Sequence, residues 1–175
     1  METGNVILVD KHDHAVGFME KMEVHRRGLL HRAISVFIFD GTGRLLLQQR
    51  AFHKYHSGAL WTNTCCSHPF PGESAPAAAK RRLKEEMGLS IPLDFLFTFR
   101  YRASLDNGLI EHELDHVFIG YTDENPAINP DEVADYRWAT SSDIDKGIST
   151  DPSAYTSWFK LIYKRVFAQA SLGYN

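Results

Sequence analysis

Residues 67–89 read SHPFPGESAPAAAKRRLKEEMGL. Ser74 suits an N-cap, Pro76 falls in a first turn and Gly88 follows the last apolar position, so the spacing predicts a helix over 74–87. At roughly 100° per residue, Ala75, Ala79, Leu83 and Met87 form an apolar stripe, while Lys80, Arg81, Lys84 and Glu85 point away from it. Glu86 breaks the pattern. It projects between Ala75 and Ala79, in the sector that should face a core, and Arg82 sits one turn earlier at the edge of that sector. A charge there needs a partner, because burying it alone is costly. Two readings stay open: an intrahelical Arg82–Glu86 pair on a partly wet face, or a Glu86 that binds metal beside an Arg82 that reaches an anion.

Outward from this helix, hairpin chemistry recurs. Residues 33–39 and 44–49 are apolar and flank Asp40-Gly41-Thr42-Gly43, which predicts a hairpin. Residues 95–102 and 110–121 form a second pair around Asp106-Asn107-Gly108, and 133–138 reads as a further short strand. A second helix is expected over 157–170, with Trp158, Leu161, Ile162 and Val166 as its stripe. Interleaved strands and helices predict an α/β (α+β) class, a mixed sheet flanked by helices. The 175 residues suit one domain, 1–175, with a core of about 31–170 and an N-terminal extension of 1–30.

Composition narrows the partners. Nineteen Lys and Arg against 22 Asp and Glu give a net charge of −3, no reason to expect nucleic acid or an anionic membrane. The two cysteines, Cys65 and Cys66, are adjacent; they close no useful loop and favour a reducing compartment. The start lacks a basic and apolar leader, no run is long enough to span a membrane, and Gly173-Tyr174-Asn175 carries no lipidation signal. A cytoplasmic protein, monomer or homodimer, is the expectation.

Three groups of residues carry chemistry. Period two places Glu111, Glu113 and Asp115 on one face of a strand, ahead of Val117 and Ile119, which suggests a half-buried cleft. Like charges side by side repel unless one is protonated or a cation lies between them. The turn Trp61-Thr62-Asn63-Thr64-Cys65-Cys66-Ser67-His68-Pro69 gathers thiols, an amide and an imidazole; a thiol near a metal or cation would have a lowered pKa. Of nine histidines, His25 and His31 lie six apart and could add metal nitrogens, whereas His12, His14, His53, His56, His112 and His116 read as surface residues.

Together these residues resemble a known family. Glu73, Arg81, Leu83, Glu85, Glu86, Gly88 and Leu89 match the Nudix box, with Ser67 in place of its Gly and Arg82 in place of the first Glu of its Arg-Glu pair. The blocks Asn63–Pro69, Phe99–Ala103 and Glu111–Glu113 are similar to those of type I isopentenyl-diphosphate isomerases, which share the Nudix fold and do not hydrolyse their substrate. The resemblance implies that Cys66, not Cys65, is catalytic. It implies one divalent metal, Mn²⁺, Zn²⁺ or Mg²⁺, on His25, His31, His68, Glu111 and Glu113, with His25 and His31 supplied by or beside the 1–30 extension. Glu86 would ligate Mg²⁺ carried by the substrate diphosphate, and Lys21, Arg50, Lys54 and Arg82 would hold that diphosphate. Tyr101 and Trp158 would stand beside the reacting alkene. The implied reaction is a 1,3 proton shift through a carbocation, with Cys66 and Glu113 as paired acid/base groups and Trp158, with Trp61 as a second aromatic, offering π faces. The alternatives are a Nudix hydrolase of a nucleoside or other diphosphate, and a binding domain without turnover.

Overall fold

Each strand face carries its own half of the core. The computed structural model describes residues 4–172. Along the chain lie β1 (Asn5–Val9), β2 (Ala15–Glu20), α1 (Lys21–Arg27), β3 (His31–Phe39), β4 (Leu45–Arg50), β5 (Trp61–Thr62) and β6 (Cys65–Ser67). There follow α2 (Ala75–Met87), β7 (Asp94–Ser104), β8 (Ile110–Tyr121), β9 (Val133–Ala139), α3 (Ser141–Thr150) and α4 (Ser157–Leu172). On β3, Ile34, Val36 and Ile38 turn toward α2, where they meet Ala79, Leu83 and Met87. Phe37 and Phe39 turn the other way, joining Val117 and Ile119 of β8 against Trp158, Phe159 and Ile162 of α4. The result is a mixed sheet between helices, as the sequence predicts. Among the described residues, no helix is long and apolar enough to cross a membrane.

The sheet has β3 at its centre. It runs parallel to β8 from His31↔Glu113 to Phe39↔Tyr121 and antiparallel to β6 through Ser35↔Cys66. The 95–102 and 110–121 segments pair as predicted, β7 lying antiparallel to β8 with Tyr101 opposite Glu113. The first predicted hairpin needs correction. Both strands form, but they share only the Phe39↔Leu45 pair; beyond it β4 leaves β3 and pairs with β9 and β5 instead. The freed edge of β3 is what admits β6, and with it Cys66. Six elements absent from the sequence reading also appear: β1, β2, α1, β5, β6 and α3. The expectations for residues 1–3 and 173–175 lie outside the described residues.

α2 forms as its end signals predict. The Ser74 hydroxyl accepts from Ala77 N at 3.3 Å, and Gly88 closes the helix at φ +69°, its amide donating to Lys84 O. A Cβ at Gly88 would also meet Ala127 O at 2.7 Å, so both backbone and space demand glycine. Glu73, just before the cap, accepts two hydrogen bonds from Arg81, from Nε at 2.8 Å and Nη2 at 2.9 Å. That pair ties the preceding loop to the helix.

Candidate active site

A cavity open to solvent lies where β6, β7, β8, α1, α2 and α4 meet. Its lining includes Cys66, His68, Tyr101, Glu111, Glu113 and Trp158, and also Lys21, Arg50, Lys54, Arg82 and Glu86. Residues spread over most of the chain therefore face one space. The alternation on β8 explains two of them: Glu111 and Glu113, with Asp115 beyond, continue the face that Val117 and Ile119 bury against α4.

His25, His31, His68, Glu111 and Glu113 are all buried, and one ligand atom from each lies within 4.8 Å of the others. Their hydrogen bonds test whether a cation belongs there. The His25 Nδ1 faces Lys21 O at 2.7 Å and the His31 Nδ1 faces Leu29 O at 2.9 Å. A carbonyl can only accept, so both Nδ1 atoms carry hydrogen and a neutral ring turns a bare Nε2 lone pair inward. For His25 that lone pair meets Glu111 Oε1 at 2.9 Å; for His31 it meets His68 Nε2 at 3.3 Å. The His68 Nδ1 has no hydrogen-bond partner among the described residues. Lone pairs pointed at lone pairs require a proton or a metal ion between them, so the donor set fits a metal. Without one, burial opposes charge on His31, but hydrogen bonds and charge from Glu111 and Glu113 outweigh it and raise the imidazole to about 10. Burial pushes His68 the other way, to about 4. The Glu111 carboxyl is held well below its usual range: burial alone would raise it, but hydrogen bonds from His25, His31 and His56 prevail.

Across the cavity, the Cys66 thiol donates to Asn63 Oδ1 at 3.0 Å and accepts from Trp158 Nε1 at 3.1 Å. Burial, then the nearby Asp115 charge, pushes this thiol up to about 12. The Arg50 charge and the Trp158 hydrogen bond act in the other direction but do not offset burial. Cys65 points to the opposite side of the sheet and is fully buried with Ile34, Val36 and Leu83. The Tyr101 hydroxyl donates to Glu113 Oε2 at 2.9 Å, and burial, then the Glu113 charge, holds its phenol well above the usual value.

The intrahelical reading of Glu86 is the one seen directly. Arg82 Nη2 donates to Glu86 Oε1 at 2.7 Å, the intrahelical pair, yet both residues line the cavity and are only 5% and 3% exposed. Gln48 Nε2 donates to the other oxygen at 3.0 Å. The remaining cations are also anchored. Lys54 pairs with Glu132, Lys21 Nζ lies 4.5 Å from the Tyr55 ring centre, and the Arg50 guanidinium lies 5.4 Å from that of Trp158.

Four residues are placed differently from expectation. His56, read as a surface residue, is buried in the cavity wall. His112 and His116 are half-buried, His112 facing Gly28 O at 3.0 Å and His116 facing Asp13 Oδ2 at 2.8 Å, while His12, His14 and His53 are exposed. Trp61 does not line the cavity; the Arg137 guanidinium covers its ring at 4.3 Å. No spacing rule marks His56, because the loop that brings it in is neither helix nor strand.

The fold and this cavity define a NUDIX-domain protein, and the NUDIX domain family matches residues 29–159. Two solved structures share the fold. A Deinococcus radiodurans protein superposes with a TM-score of 0.76 at 17% identity, covering 91% of this chain and 98% of that one. The MutT protein from Methanosarcina mazei Go1 gives 0.65 at 17% identity, covering 81% and 95%. Curated relatives narrow the class. The isopentenyl-diphosphate Delta-isomerase of Pectobacterium atrosepticum is 54% identical over 166 residues, 95% of this chain and 93% of its own length. Isopentenyl-diphosphate Delta-isomerase 2 of Aromatoleum aromaticum is 52% identical over 167 residues, 95% and 88%. The chain belongs to the isopentenyl-diphosphate Delta-isomerase family.

Proposed function

We propose that the protein interconverts isopentenyl diphosphate and dimethylallyl diphosphate, with Cys66 and Glu113 as its two acid/base groups. One observation carries this reading: a thiol hydrogen-bonded to Asn63 and a Tyr101-bonded carboxylate share a cavity with a metal-capable cluster and with Lys21, Arg50, Lys54 and Arg82. The reaction adds a proton to the terminal alkene carbon and removes one from the adjacent methylene, so the double bond moves by one position. Two groups are needed, because the transfers occur on opposite faces. An alkene is a poor base, and a donor must therefore stay protonated in a site with little water. The raised pKa of Cys66 suits that role, and the Tyr101 hydrogen bond holds Glu113 in place for the other transfer. Which of the two donates depends on the direction of reaction.

His25, His31, His68, Glu111 and Glu113 are the residues that would hold one divalent ion, Mn²⁺, Zn²⁺ or Mg²⁺. Bound there, the ion supplies positive charge beside Glu113. Mixed imidazole and carboxylate donors suit each of these ions. Glu86, which lines the cavity with Lys21, Arg50, Lys54 and Arg82, would ligate the Mg²⁺ that accompanies the substrate. Lys21, Arg50, Lys54 and Arg82 grip the diphosphate, remote from the reacting carbons, so that binding energy places the alkene between the acid/base groups. The Trp158 ring offers a π face to the cationic intermediate, worth about 2 kcal/mol or more when desolvated. The working unit is a single domain in which the 1–30 extension contributes Lys21 and His25 through α1. Two neighbouring free cysteines suit the cytoplasm.

The test is a product assay with isopentenyl diphosphate and Mg²⁺. Dimethylallyl diphosphate with its diphosphate intact is expected. Release of phosphate, or cleavage of a nucleoside diphosphate in its place, would transfer the chain to the hydrolases.

A further inference from the structure

His56 lies on the loop between β4 and β5 and is only 3% exposed. Its Nε2 stands 3.3 Å from Glu111 Oε2; Oε1 of the same carboxylate lies 2.9 Å from His25 Nε2 and 3.4 Å from His31 Nε2. His56 does not belong to the group whose ligand atoms converge within 4.8 Å, so it is placed to touch the metal-binding cluster without joining it. The ring is wedged edge-on between Tyr55 and Trp158, with centres 4.4 and 5.9 Å away, and its Nδ1 lies 3.0 Å from Ser57 Oγ. The loop itself is pinned. Arg50 donates from Nε to Ser57 O at 3.1 Å and from Nη2 to His56 O at 3.3 Å, and the Ser57 amide donates to Asp106 Oδ1 at 3.2 Å.

A glutamate carboxylate rotates easily about its last torsion, because that torsion is broad rather than staggered. Fixing one oxygen with a donor on a rigid ring therefore sets where the other oxygen points. A buried carboxylate oxygen also needs a donor, and a carboxylate can only accept. We propose that His56 is a positioning residue: it donates its Nε2 hydrogen to Glu111 Oε2 and thereby aims Oε1 at the metal site. The proposal rests on the reading of the His25, His31, His68, Glu111 and Glu113 cluster as a metal site. Because Arg50 holds the carbonyl of His56, the same loop joins a cation expected at the diphosphate to a ligand expected at the metal.

The experiment is calorimetric titration of the metal-stripped full chain with Mn²⁺, alongside thermal unfolding of each metal-free form. His56→Phe keeps a ring and removes the donor; it should weaken Mn²⁺ binding about 10- to 100-fold, with the metal-free protein still folded. His56→Gln places an amide nitrogen close to the Nε2 position and should regain most of that loss. Wild-type affinity in His56→Phe overturns the proposal, as does an equal loss in both variants, which would make the role one of packing. His56→Leu replaces His56→Phe in the same comparison if the bulkier ring does not fold. A wild-type chain that binds no Mn²⁺ overturns the metal-site reading and the proposal with it, a result distinct from unchanged binding in the variant.

Discussion

Two neighbouring thiols have opposite fates. Strand alternation on β6 sends Cys65 into the core beside α2 and Cys66 into the cavity beside Trp158. The choice of Cys66 was legible through the family resemblance, whereas the strand that separates the two thiols was not, because residues 61–69 read as a turn. The raised pKa of Cys66 was not legible either, because its causes are burial and Asp115, which lies 49 positions further along the chain. Cys66→Ala should cost roughly 10²-fold or more in kcat, the scale of a lost acid/base group. Cys65→Ala should keep most of the turnover and instead lower the unfolding midpoint through the small cavity it leaves. Steady-state rates of the two variants decide this; equal losses would contradict the assignment. His56 shows where residue-level reading stops. A histidine between loops has no periodicity, so its burial depends on contacts with Glu111 and Trp158 that only the fold supplies.

Elements were legible in proportion to their end signals and length. α2 carries a Ser cap, an early Pro and a terminal Gly, and each does what its chemistry predicts. α1 has seven residues and an unusual cap: the Glu20 carboxylate accepts from Met22 N and Glu23 N, a role more often taken by shorter side chains. Such a short helix has little propensity of its own and owes its existence to packing. α3 did offer a signal, the Thr140 and Asp143 capping box, which the expected element set omits. The divergence of β4 from β3 had none, since pairing partners are chosen by distant strands. Between α3 and α4, the Tyr163 hydroxyl donates to Asp145 Oδ1 at 2.5 Å, and burial, then that carboxylate, pushes the phenol up to about 12. An unfolded tyrosine titrates near 10. The folded value is the higher one, so this contribution is fully present below pH 10 and is lost as pH rises through about 12. Urea midpoints of the wild type should therefore fall more steeply across that interval than those of Tyr163→Phe. Parallel curves would refute the linkage.

At the scale of the molecule, charge misleads when averaged. The net value of −3 argues against a polyanion, yet Lys21, Arg50, Lys54 and Arg82 converge from α1, β4, a loop and α2 on one cavity. Acidic residues converge beside them: Glu111 and Glu113 reach the same space on β8, and Glu86 reaches it on α2. The fold supports this by running β8 alongside β3, which brings His31 level with Glu113, while β6 on the other edge of β3 sets Cys66 opposite Ser35. The carboxylate and the thiol thus stand on strands that flank a common neighbour, which is where the proposed proton shift takes its two groups from. The most direct test is to run the reaction in D₂O with isopentenyl diphosphate and Mg²⁺ and follow it by NMR. The account predicts dimethylallyl diphosphate with deuterium in the methyl group formed from the terminal alkene carbon, because the added proton comes from a solvent-exchanged side chain. No turnover by the metal-loaded protein, or a product whose new methyl group carries no deuterium, would contradict it.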